Sequence, residues 1–76
     1  MLVARFSNET AQPFVLMVEP WATEVTIPAG SKFAVHYEPP IERADTSFAE
    51  VHNDMVRFWC EGRSFEVEVD GQIVLT

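Results

Sequence analysis

Phe48-Ala49-Glu50-Val51-His52-Asn53-Asp54-Met55-Val56-Arg57-Phe58-Trp59 alternates apolar and polar residues on both sides of a central Asn-Asp pair. Two runs of period-two alternation flank Asn53-Asp54, the pattern of a β-hairpin closed by a two-residue turn. That turn sets Val51 opposite Val56, Ala49 opposite Phe58 and Glu50 opposite Arg57, so apolar meets apolar and charge meets its opposite. Carried forward, Glu61-Gly62 reads as a second two-residue loop, with Phe58 facing Phe65, Val56 facing Val67 and Arg57 facing Glu66. Arg57 is then expected between two carboxylates.

The last turn offers two registers. A two-residue Asp70-Gly71 loop sets Ile73 against Glu68 and Leu75 against Glu66, mixing the faces. A three-residue Val69-Asp70-Gly71 loop, with Gly71 left-handed in a G1 bulge, pairs Val67 with Ile73 and Phe65 with Leu75, and is the expected register. The inner wall then holds Ala49, Val51, Val56, Phe58, Phe65, Val67, Ile73 and Leu75. A rival reading starts a short helix at Ser47, because Ser47-Phe48-Ala49-Glu50 has capping-box spacing. A helix that short is marginal without tertiary support, and losing this strand leaves seven.

Working back toward the N-terminus, the same period recurs in Leu2, Ala4 and Phe6; in Phe14, Leu16 and Val18; in Val25 and Ile27; and in Phe33, Val35 and Tyr37. Each run ends at breakers: Asn8 to Pro13, Pro20-Trp21, Pro28-Ala29-Gly30 and Pro39-Pro40. The expectation is one domain over residues 1–76, a small all-β antiparallel sandwich of seven or eight strands built as two meanders, or a partly open barrel.

Composition narrows the function. A 76-residue chain buries about 60% of the surface its unfolded form exposes, too little to support a deep enzyme cleft. Twelve acidic against five basic residues give a net charge of −7, which repels nucleic acid. The apolar start, Met1 to Phe6, is too short for a secretory core or a membrane span, and a single cysteine, Cys60, fits a reducing setting, so a cytoplasmic protein without membrane contact is expected.

Chemistry-bearing residues are few. His36 and His52 are the candidate metal ligands, although a strand with Phe33, Val35 and Tyr37 inward places His36 on the outer side. Cys60 falls on the inner side with Val56 and Phe58, where a thiol is inert. Glu66, Glu68 and Asp70 alternate on one face as a solvated acidic stripe. Catalysis and cofactors are not expected. What remains is apolar surface: Phe48 faces Trp59 on the outer side of the hairpin, with Met55 and His52 beside them, while Val15 and Met17 take the outer side of the second strand. Val15, Met17, Phe48, Met55 and Trp59 are therefore the candidate interaction surface, for a second copy in a homodimer or for a protein partner.

Two resemblances bear on this. Gly30 to Glu38 resembles the opening of the cupin metal motif, a glycine, five residues, then His-x-His and an acid. Here Glu38 stands at the second His, the trailing glycine has no counterpart after Glu42, and the second motif is absent. The resemblance implies a reduced, cupin-like metal or small-molecule binder using His36, Glu38 and His52 as the alternative to the interaction reading. Asn8-Glu9-Thr10, Phe14 to Trp21 and Glu24 to Gly30, together about the first half of the chain, resemble short, uncharacterised bacterial proteins in which a strand ending Glu-Pro leads to a Pro-x-Gly turn. That likeness implies an all-β fold and brings no activity.

Overall fold

The computed structural model describes residues 1–75 and contains eight strands: β1 (Leu2–Ser7), β2 (Phe14–Glu19), β3 (Thr23–Ile27), β4 (Lys32–Tyr37), β5 (Phe48–Val51), β6 (Met55–Trp59), β7 (Phe65–Val69) and β8 (Gln72–Leu75). They form two four-stranded sheets, β1-β4-β7-β8 and β3-β2-β6-β5. The first is antiparallel, whereas in the second β2 and β6 run parallel. The architecture is compatible with a small β-sandwich, and Ser47 starts no helix.

The alternation visible in the sequence sets the core. Leu16, Val18, Ile27, Val35 and Val67 are fully buried, with Phe33, Tyr37, Phe58 and Cys60 nearly so. Aromatic rings join the layers: Phe6 of β1 meets Phe58 of β6 at 6.2 Å and 76°, and Phe14 of β2 meets Phe33 of β4 at 5.6 Å and 80°, both edge to face.

The Asn53-Asp54 hairpin has the register expected, with Phe48 opposite Trp59, Ala49 opposite Phe58, Glu50 opposite Arg57 and Val51 opposite Val56. The Glu61-Gly62 hairpin does not form, because β6 and β7 belong to different sheets. Residues 60–64 instead arch between the layers. The Cys60 N–H donates to the Glu19 carbonyl at 2.8 Å, and the Arg63 N–H to the Glu38 carbonyl at 3.1 Å. Gly62 is required there, since a Cβ would lie 2.2 Å from the Glu38 oxygen. Glu66 consequently faces His36, and Arg57 forms its ion pair with Glu19 of β2, with Glu50 opposite it only in register.

The final turn also differs. Asp70 (φ 49°) and Gly71 (φ 86°) form a two-residue turn with both residues left-handed, so Val69 pairs with Gln72 and Glu68 with Ile73. The face mixing this implies is corrected by a bulge further along, where the register shifts between Glu68 and Val67 and returns Leu75 to Val67. The expected inner wall thins accordingly: Ala49, Val51 and Ile73 are exposed.

Asn8 locks the loops at one end. It is fully buried, and its Nδ2 donates to the carbonyls of Gln12 (3.0 Å), Pro28 (3.1 Å) and Ile27 (3.3 Å). Its Oδ1 accepts from the Thr10 hydroxyl at 2.7 Å and the Thr10 N–H at 3.1 Å. One amide thus satisfies polar groups of both the β1–β2 and β3–β4 connections.

Candidate interaction surface

Alternation on β2 sends Phe14, Leu16 and Val18 inward and leaves Val15, Met17 and Glu19 on the outer side. The parallel pairing aligns these with the outer residues of β6, Val15 beside Met55, Met17 beside Arg57 and Glu19 beside Trp59. On the far side of β6, β5 adds Glu50 next to Arg57 and Phe48 next to Trp59; on the far side of β2, β3 adds Glu24 next to Met17. All five residues expected at an interaction surface therefore share one face, although β2 reaches β6 by a pairing the sequence did not predict.

β5 is held in place by the loop before it. The Tyr37 hydroxyl donates to Asp45 Oδ2 at 2.5 Å, and Asp45 Oδ1 accepts from both the Ser47 hydroxyl (2.6 Å) and the Ser47 N–H (3.0 Å). Ser47 Oγ in turn accepts the Glu61 N–H at 2.8 Å, the role that replaces a helix cap. The Ser47 and Tyr37 hydrogen bonds hold the Asp45 carboxyl below the usual range; burial, followed by the bond to Asp45, pushes the Tyr37 phenol up.

The face is apolar at its ends and charged across its middle. Phe48 is 56% exposed and stacks on Trp59, centroids 6.4 Å apart. Trp59 is half-buried by its own sheet: the Arg57 guanidinium lies 5.9 Å from its ring centroid, and its indole N–H donates to Glu50 Oε1. Arg57 Nε lies 3.3 Å from Glu19 Oε2 as an ion pair, yet its N–H, buried, makes no hydrogen bond among the described residues. The face thus sets three carboxylates, Glu19, Glu24 and Glu50, around one cation.

The other candidates are dispersed. His36 Nε2 lies 2.8 Å from Glu68 Oε1, Glu38 lies 3.8 Å from Arg63, and His52 lies 3.8 Å from Glu50, three separate pairs rather than one ligand set. Among the described residues no group of three or more His, Cys, Asp or Glu is placed to hold a metal ion. Cys60 is buried, and burial pushes its thiol up, away from the thiolate that nucleophilic chemistry needs. Asp70 of the acidic stripe is occupied by the Ser31 hydroxyl (2.7 Å) and the Lys32 N–H (3.0 Å). A depression of about 110 Å³ lined by Arg5, Lys32, Ala34, Glu68 and Gly71 is well short of the roughly 300–1,000 Å³ of small-molecule sites.

No family model, curated protein or solved structure matches this chain. No helix among the described residues is long and apolar enough to cross a membrane.

Proposed function

We propose that this chain is a non-catalytic protein-interaction module that docks its partner on the outer face of the β3-β2-β6-β5 sheet. The observation that carries the reading is the Phe48–Trp59 stack, which stands on a sheet face with no further layer over it and shares that face with Met17, and with Val15 and Met55 on the far side of Arg57. An exposed phenylalanine with a half-buried tryptophan and methionines beside an arginine has the composition of protein contact surfaces. The dispersed histidines, the inert thiol and the small depression supply no competing chemistry.

The partner is a second copy or a separate protein, and charge weighs between them. A symmetric pair on this face gathers two sets of Glu19, Glu24 and Glu50 around two guanidinium groups, on top of the net −7 of each chain. A partner of positive charge meets no such repulsion.

Affinity capture with three baits tests the reading: wild type, Trp59→Ser and His36→Ala, the last altering the outer face of the opposite sheet. Bound protein should be lost with Trp59→Ser and kept with His36→Ala. Equal capture by all three baits would remove this face from the account.

A further inference from the structure

The open edge of β5 lies beside the proposed surface and carries unmet hydrogen-bonding capacity. The His52 N–H donates to the Met55 carbonyl at 2.8 Å, which sets the phase of the β5–β6 ladder. In that phase Phe48 and Glu50 exchange hydrogen bonds with β6, while the N–H and C=O groups of Ala49 and Val51 point to the open side. Edge strands are commonly guarded by a bulge, a proline or a basic residue. β8 has its bulge, β1 carries Arg5 at its centre and β3 runs into Pro28. β5 has none of these: its one charged residue, Glu50, is an acid, placed on the outer face beside Trp59.

The inner side of β5 is also uncovered. Val51 is 80% exposed and Ala49 is exposed, so the opposite sheet does not reach over this strand. A strand added at this edge in antiparallel sense would place two residues opposite Ala49 and Val51 on that uncovered inner side, and the residue between them opposite Glu50 on the outer side. The inner positions call for apolar side chains; the outer one calls for a cation.

Resting on the interaction reading above, we infer that the partner is an extended, basic segment of another protein that adds to β5 by main-chain hydrogen bonding, with an apolar–Lys/Arg–apolar core. A second copy of β5 supplies no Lys or Arg for that position: according to register, Glu50 meets Glu50, Phe48 or His52 of the copy. The net charge of −7 adds long-range attraction for a basic segment.

The test uses the whole chain and two synthetic peptides, acetyl-Thr-Val-Arg-Val-Lys-Val-Thr-amide and its counterpart with Glu in place of Arg and Lys, followed by amide NMR shifts. The basic peptide should bind with shifts concentrated at residues 48–51, at least about tenfold tighter than the acidic one. Ala49→Pro removes an outward N–H while leaving the Phe48 and Glu50 bonds to β6, and should weaken binding about tenfold. Glu50→Gln, which leaves the backbone alone, should reduce the preference for the basic peptide. No binding up to about 1 mM, no charge preference, or indifference to both variants overturns the inference. Shifts centred on Met17, Met55 and Trp59 with Ala49→Pro neutral also overturn strand addition yet leave the interaction face standing. The capture experiment with Trp59→Ser and His36→Ala judges that broader reading independently.

Discussion

Phe48 stacks on Trp59 across the β5–β6 pair with ring planes inclined by 19°, while Glu50, two residues along β5, accepts the indole N–H from the same ring. Neither ring belongs to the core, which is filled by Leu16, Val18, Ile27, Val35 and Phe58 beneath them. Removing either ring therefore probes surface, and removing the adjacent Phe58 probes stability.

Phe58, 3% exposed and in contact with the rings of Phe6 and Tyr37, should cost about 3–5 kcal/mol when truncated to Ala, enough to unfold a domain this small. Trp59→Ser should leave a cooperative urea transition, because Trp59 lies on the outer face. Equal losses from the two changes would mean that the faces are reversed.

Arg57 should contribute modestly through Glu19. The pair is partly screened, with the Arg57 side chain 33% exposed, so a double-mutant cycle of Arg57→Ala and Glu19→Ala should give a coupling of about 0.5–1 kcal/mol.

Asn8 should be costly to replace for a different reason. Asn8→Ala leaves the buried Ile27 carbonyl short of a donor and should destabilise by about 1–3 kcal/mol, and Asn8→Asp should be worse because it aims a carboxylate at three carbonyls. Thermal unfolding of the two variants side by side checks the order.

Acid should weaken the fold through specific carboxylates. Asp45, held down first by the Ser47 hydroxyl and then by Tyr37, and Asp70, held down by the Ser31 hydroxyl and then the Lys32 N–H, both have folded-state pKa values below their unfolded ones. Their contribution is present above the unfolded value of about 4 and is lost as pH falls through the lower folded value. Tyr37 behaves oppositely: its raised pKa contributes below about 10 and is lost on going higher. Urea midpoints across pH should fall at both extremes, and Asp45→Asn with Asp70→Asn should flatten the acid side.

Self-association should be weak at low ionic strength. Sedimentation equilibrium at micromolar concentration should give a monomer in low salt, because each chain carries −7. A dimer that strengthens as salt is added and weakens in Trp59→Ser would make a second copy the occupant of the face, the partner first suggested by the sequence.

Period-two alternation made eight strands and the inward residues of β1 to β4 legible in the sequence, and the Asn53-Asp54 turn gave β5–β6 its register because a two-residue loop allows little else. Partner choice was less visible. Val56 and Val67 match across a hypothetical hairpin as well as Val56 and Leu16 match across the real parallel pair, since any two half-buried strands present similar apolar faces. Gly62 favoured the hairpin because it reads as a turn residue, whereas in the fold it is needed for close approach to the Glu38 carbonyl. Val15, Met17, Met55, Trp59 and Phe48 share one face in spite of the different topology, because outward parity along β2 and β6 does not depend on which strands pair, whereas the Glu19–Arg57 contact requires the β2–β6 pairing itself.

Site-specific photo-crosslinking in the producing cell shows whether a protein docks on the β3-β2-β6-β5 face. A benzoylphenylalanine installed at position 48 reports the outer face beside Trp59, and one at position 36 reports the opposite sheet. Discrete crosslinked protein should form from position 48, carrying a basic segment at the point of attachment, and none from position 36. Equal crosslinking from both positions, from position 36 alone, or from neither would contradict the assignment of this face as the docking surface.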